Sequence, residues 1–392
     1  MSSSAFRNQY YQERLAFYER LDLSRCNETE LIEVAGEASA LQKFLTDILE
    51  EGYADAVHRL VAQIDAVNRL QRFLSAVLHI LEPPSERERF YLFPEPIPLD
   101  HITPEPFAGG TTFELPAYLD HLDTQSDQAV DIAPCFATAQ QMHRWQAKTQ
   151  VLLREMWAFL HWICGELARR EPVIAVPLLR DTLLIALGLT WVRRAGVPVR
   201  APRPALIGRQ FADTYGNGRR IHGALGDVIY RVLLADRPGD LAGLRRQFAT
   251  SVREDPDIPA SFTQACQEYL TGLELEAPPL FIDSGVQGTF MLFLLSLTGD
   301  VGDMVLYTTT PWLYPLYAPL VFRKNYNYLR EMETIVAHDY LFQFKARRSG
   351  IIYVEETTNE TARRLALYEI HAFKALVTHR IEEIQRETLL AG

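Results

Sequence analysis

The chain has 392 residues with 39 basic and 50 acidic side chains, a formal charge of −11, and is 48% hydrophobic and 23% charged. That balance belongs to a globular protein long enough to bury real cores, and it excludes a largely disordered chain or a general binder of nucleic acid or anionic membrane. Four cysteines, Cys26, Cys135, Cys164 and Cys266, stand far apart without Cys-x-x-Cys spacing, so neither a zinc site nor a disulfide framework is indicated.

The N-terminal stretch MSSSAFRNQYYQER lacks the apolar core of a signal peptide, and residues 5–82 read as helical. Leu41, Phe44, Leu45 and Ile48 recur at three-and-four spacing, as do Val57, Leu60, Val61 and Ile64, then Leu70, Phe73, Leu74 and Val77. Asn27 and Glu30 are spaced as a capping box, and Pro83-Pro84 ends the run because proline cannot donate and clashes with the preceding turn. The sequence therefore predicts a helical domain over residues 1–84. Residues 85–137 follow as a connecting segment rich in proline and aromatics, with Pro94, Pro96, Pro98, Pro104, Pro106, Pro116 and Gly109-Gly110 breaking any period.

Residues 138–392 are predicted to hold a long helix, to about 169, and then an α/β domain. Trp145, Leu152, Met156, Phe159, Leu160 and Ile163 give that helix a broad apolar stripe, so it should pack on more than one side. After Glu171 short apolar runs alternate with helices: Val173–Pro177, Ala205–Ile207, Leu280–Ile282, Met304–Tyr307 and Ile351–Val354. Buried runs of this length predict a mostly parallel sheet with flanking helices, preceded by the helical N-terminal domain. No apolar run approaches the roughly 18 residues of a membrane span; Phe290–Leu295 is among the longest. A cytoplasmic protein without a membrane partner is expected. The C-terminal helix, Thr361–Leu389, either covers the sheet or meets a second subunit in a homodimer.

Two segments carry the strongest chemical signal. In Pro279-Leu-Phe-Ile-Asp-Ser-Gly-Val-Gln-Gly-Thr-Phe290 a buried strand delivers Asp283 to a turn with Gly285 and Gly288, and a helix opens at Thr289. Glycines let backbone approach an anion, and amides at a helix start with the dipole's positive end can hold phosphate. Asp283 could bind sugar hydroxyls or Mg²⁺, and Ser284 and Thr289 could donate to phosphate oxygens. The alternative is a tight strand-to-helix turn capped by threonine. Ile174–Leu187 repeats the logic, with Arg180, Asp181 and Thr182 between strand and helix. Arg180 suits bidentate recognition of pyrophosphate; its alternative role is a surface pair with Asp181. Two such turns on neighbouring parallel strands would face one crevice.

These residues resemble type I phosphoribosyltransferases and their divergent bacterial relatives, over residues 172–310 only. The resemblance implies that the Arg180-Asp181-Thr182 loop receives pyrophosphate. It also implies that Asp283, Ser284, Gly285, Gly288 and Thr289 cradle the ribose 5-phosphate of phosphoribosyl pyrophosphate, with Mg²⁺ as cofactor and Asp283 its protein ligand. On that basis Asp283 and Arg180 are the residues expected to act in catalysis. Where the family has two adjacent acids, this chain has Ile282 before Asp283, and Val286-Gln-Gly-Thr289 stands for Thr-Gly-Gly-Thr. Two further readings stay open: a non-catalytic regulatory protein on the same core, and a hydrolase of a phosphorylated small molecule acting through Asp283.

Other combinations are weaker. The stretch Arg209–Arg220, with His222 behind it, is either a hood meeting phosphate or a solvated loop. Tyr307–Tyr317 either stacks a base or supplies aromatic packing between domains. Asp120-His-Leu-Asp123 and His338-Asp339 pair histidine with an acid, short of the three ligands a metal needs. His161, in an apolar helix beside Trp162, is expected as a buried, satisfied histidine, and the cysteines as buried thiols.

Overall fold

The computed structural model describes residues 111–208, 211–212, 218–236, 240–284, 288–299, 301–309, 314–317, 320–323, 334–339, 341–346 and 352–391. The expected helical domain 1–84 and the connecting segment as far as residue 110 lie outside the described residues. Residues 112–125, part of the stretch read as irregular, are instead strand β1 (Thr112–Glu114) and helix α1 (Leu115–Gln125). Pro116 sits in the first helical turn, where its missing N–H leaves no intrahelical bond unmade, so there it starts a helix.

Helix α2 spans Ala139–Arg169, opened by a reciprocal cap in which Thr138 accepts from Gln141 N and Gln141 accepts from Thr138 N. Its apolar stripe is buried, and it packs on α3 (Leu183–Arg194), on the C-terminal helix and, through Phe159, on the sheet residues Tyr307 and Phe322. His161 faces out from this helix and is exposed, against expectation. It lies two positions past Phe159 and two before Ile163, on the flank that the buried stripe leaves to solvent.

The central sheet is parallel: β2 (Ile174–Pro177), β3 (Pro279–Asp283), β4 (Asp303–Thr308) and β5 (Val321–Arg323), in that order. The Ala205–Ile207 run makes one parallel bridge, Leu178 to Ala205, on the outer side of β2. It is anchored by Arg203 N to Ala175 O and Ala205 N to Pro177 O, both 2.9 Å. The chain thus leaves β2 toward one edge, then returns to β3 and steps to β4 and β5 toward the other. Right-handed crossovers in opposite directions put α3 on one face and α7 (Thr289–Leu297) on the other. Two helix groups pack within themselves accordingly. One is α2, α3 and the C-terminal helix; the other is α4 (Gly218–Asp236), α5 (Leu241–Glu254) and α7, with Phe262 of α6 (Ala260–Gly272) stacked on Phe293 at 5.3 Å.

The fifth apolar run is not in this sheet. Ile352–Glu356 is β7, the middle strand of an antiparallel sheet β1-β7-β6, where β6 is Phe342–Ala346. The link from Ala346 to Ile352 is far shorter than the dozen residues a parallel crossover needs, so this pair can only be a hairpin. Two short helices, α8 (Tyr314–Tyr317) and α9 (Val336–Asp339), precede it, and α10 (Glu360–Ala391) runs back across α1, α2, α3 and α9. No helix among the described residues is long and apolar enough to cross a membrane.

Candidate functional site

Strands β2 and β3 pair in register, Pro177 beside Ile282, so the bends leaving their carboxyl ends begin as neighbours. They flank the point where strand order reverses, the position at which open parallel sheets bind ligands. Leu178 N donates to Ile282 O at 2.8 Å, and the second bend is held from its far side by Thr308 N donating to Ser284 O at 3.2 Å. The bends also touch directly: Ser284 Oγ donates to Asp181 Oδ2 at 3.1 Å. Residues 103 apart in sequence therefore share one small surface.

In the first bend Arg180 is half-buried, Asp181 exposed and Thr182 buried. The Leu179–Arg180 peptide is cis. Thr182 Oγ1 donates to Leu178 O at 2.7 Å and Leu183 N to Arg180 O at 2.9 Å, so the threonine hydroxyl holds the turn closed. In the second bend Asp283 Oδ1 accepts from Ser284 N at 2.8 Å, and both residues are half-buried. Gly285 lies outside the described residues. Gly288 has φ +62°, a left-handed conformation only glycine adopts without strain. A Cβ there would also meet Tyr317 Cε2 at 3.4 Å, so the backbone runs against a buried tyrosine. Thr289 is buried in the first turn of α7.

The N-cap residues of α3 and α7, Thr182 and Gly288, make no side-chain capping bond, as is also so for α1 and α6, whereas Thr138 caps α2 and Asp240 caps α5. The first amides of a helix have no acceptor within it, and the dipole adds about half a positive charge there. Two helix starts thus converge on the paired bends. Their ionised side chains run the other way: Asp181 and Asp283 against Arg180. An anion held here meets donors and dipoles, but needs a cation to balance the carboxylates.

Of the remaining sequence candidates, residues 209–210, 213–217 and the side chain of Arg219 are outside the described residues. Arg220 pairs with Asp257, and the His222 ring lies 5.6 Å from that of Phe290 in the first turn of α7. Tyr307 and Tyr317 are fully buried, and Tyr307 donates to Glu155 Oε1 at 2.9 Å, so both are core aromatics. Asp123 accepts from Trp191, Arg194 and Lys374, an architectural anchor far from metal chemistry. Cys135 and Cys266 are buried and Cys164 is half-buried; burial raises all three thiols, Cys164 to about 12, so none of these three is poised as a thiolate. No group of three His, Cys, Asp or Glu able to hold a metal is found among the described residues.

One residue gains importance over its sequence reading. His338, on α9, is 2% exposed, and its Nε2 has no hydrogen-bond partner among the described residues. Burial lowers its imidazole to about 4, with the field of Asp181 raising it and that of Arg180 lowering it. Helix α9 packs against α3, whose leading turn is the first bend, and its own first turn is capped by Glu369: Val336 N donates to Oε1 at 3.2 Å and Ala337 N to Oε2 at 2.8 Å. The sequence offered only His338-Asp339 as an isolated pair; nothing local indicated that the fold carries it to the Arg180 turn.

Comparison of the chain with family models, with curated proteins and with solved structures finds no match.

Proposed function

We propose that this chain is a phosphoribosyltransferase-like enzyme that binds phosphoribosyl pyrophosphate, or a closely related nucleotide, between its two bends. The observation that carries the reading is the Ser284–Asp181 hydrogen bond between turns on adjacent parallel strands, each opening a helix whose N-cap residue makes no side-chain capping bond. A ligand with two phosphate groups separated by a ribose matches two anion-seeking helix starts with a carboxylate between them. In this reading Arg180 and the turn through Thr182 receive pyrophosphate, Asp283 takes the ribose hydroxyls, and Ser284, Gly285, Gly288 and Thr289 take the 5-phosphate. The C1–pyrophosphate bond breaks as the bond to an acceptor nucleophile forms. The protein's share is to hold the sugar in place and stabilise charge on the departing oxygen.

Mg²⁺ fits the donor set in one way only. With no three-ligand cluster among the described residues, it would be held by phosphate oxygens, water and the Asp283 carboxylate. Bound so, it would neutralise part of the pyrophosphate charge.

Isothermal titration with phosphoribosyl pyrophosphate and Mg²⁺ tests the reading. Wild type should bind in the micromolar range and Asp283→Ala at least ~10-fold more weakly, a loss of about 1.4 kcal/mol. Absence of binding by wild type at millimolar ligand would contradict it.

A second reading has its own support. Ile282, where the resembled family carries another acid, is fully buried in β3, so its side chain belongs to the core and a carboxylate there would be desolvated. A regulatory or interaction protein that keeps the ligand site without turnover would bind the same ligand yet release no pyrophosphate with any acceptor base.

A further inference from the structure

An acid inside an anion-binding turn is an electrostatic difficulty. Asp181 lies next to Arg180 and would repel the phosphate groups that Arg180 attracts, and the two side chains together carry no net charge. The group that can change this balance is His338. It is buried, its Nε2 is unpartnered among the described residues, and it lies within the fields of both Arg180 and Asp181. It is also held firmly: Glu369 on α10 caps the first turn of α9 with both carboxyl oxygens, and α9 packs against α3.

We infer that His338 is a proton-accepting positioning residue of the Arg180–Asp181 turn, taking up a proton when a diphosphate-class anion binds there. This rests on the proposed anion site. In the absence of ligand the dry surroundings keep the imidazole neutral against the field of Asp181, with Arg180 adding a smaller push in the same direction as burial. A bound diphosphate cancels the Arg180 field and adds negative charge, so imidazolium becomes the favoured form. Its charge then balances Asp181, and the turn changes from net neutral to net positive as the ligand arrives. The proton moves from solvent to the imidazole nitrogen; no covalent bond of the ligand changes.

The charges that act on His338 are those of Asp181 and Arg180; Glu369 on α10 bonds the first turn of α9 and itself feels Lys148. Burial raises Glu369 to about 8, so near pH 6 it is already protonated with or without ligand and does not contribute to uptake.

The probe is inorganic pyrophosphate, titrated calorimetrically into the full chain near pH 6 in two buffers of different ionisation enthalpy, for wild type and His338→Gln. The difference between the two proteins removes the ligand's own proton balance. Wild type should take up a substantial fraction of one proton more than the variant, and its affinity should fall more steeply with rising pH, approaching tenfold per pH unit for a full proton. Equal uptake and equal pH slopes in the two proteins would overturn the inference while leaving the anion site standing. No pyrophosphate binding by wild type would remove the site and the inference together. Should His338→Gln not fold, the Cε1–H resonances of selectively labelled wild type decide. One buried histidine should move to the imidazolium shift on adding pyrophosphate, and no such movement would contradict the inference.

Discussion

Glu369 shows how much one side chain can do without touching substrate. It is fully buried, and burial raises its carboxyl to about 8 although two amides of α9 donate to it. A carboxyl whose folded value lies above its ordinary value contributes stability in full below about 4.5, and that contribution is lost as pH rises through 8. Glu369→Gln removes the titration and keeps an acceptor, so the stability difference between variant and wild type should shift in the variant's favour by about 2–4 kcal/mol from pH 4.5 to 8.5, read by denaturant unfolding. A difference independent of pH would contradict this. Gly288 is the other single position on which much depends. With φ +62° and Tyr317 at its back, Gly288→Val should cost about 1–3 kcal/mol of stability and open the second bend, weakening phosphoribosyl pyrophosphate binding at least ~10-fold. Unchanged binding in a folded Gly288→Val protein would show that the turn's shape is immaterial.

Between elements, the clearest tie is Asp123 at the end of α1. It accepts from Trp191 Nε1 at 2.7 Å and from Arg194, both on α3, and from Lys374 of α10 at 2.9 Å, so one carboxylate joins three helices. Burial by itself would raise this carboxyl, but the bonds from Arg194, Lys374 and Trp191 outweigh it and hold the group at about 2. A lowered carboxyl contributes stability above its ordinary value of about 3.8, lost as pH falls through 2. Asp123→Ala should cost about 1–2 kcal/mol at pH 7, discounted for its partly exposed partners, and flatten the acid limb of the stability curve. An unaltered acid limb would contradict the assignment. Elements were unequally legible in the sequence for a similar reason. Helix α2 was read closely, because its apolar stripe is local; β2, β3 and β4 were read because strands buried on both faces are continuous apolar runs. Strand β6 and the place of Ile352–Glu356 in an antiparallel sheet were not, since a short apolar run does not say which strand it will pair with. Only the brief link after Ala346 bore on it.

At the scale of the whole molecule, a parallel sheet reverses its strand order between β2 and β3, and that reversal gives the chain one surface where two polar turns meet. The candidate site was half legible. Arg180, Asp181, Asp283 and Ser284 could be picked out because each follows a buried strand and precedes an apolar helix. His338, on which the charges of Asp181 and Arg180 act, could not, because its place depends on α9 and the Glu369 cap, contacts between segments far apart in the chain. The same contacts should make ligand binding at the turn felt in α9. Hydrogen–deuterium exchange of the full chain, with and without phosphoribosyl pyrophosphate and Mg²⁺, measures the shared-site claim at both bends in one experiment. Amides of residues 178–183 and 284–291 should slow together, with the same ligand dependence. Slowing confined to one bend, or to neither at saturating ligand, would contradict a single anion site built from the two.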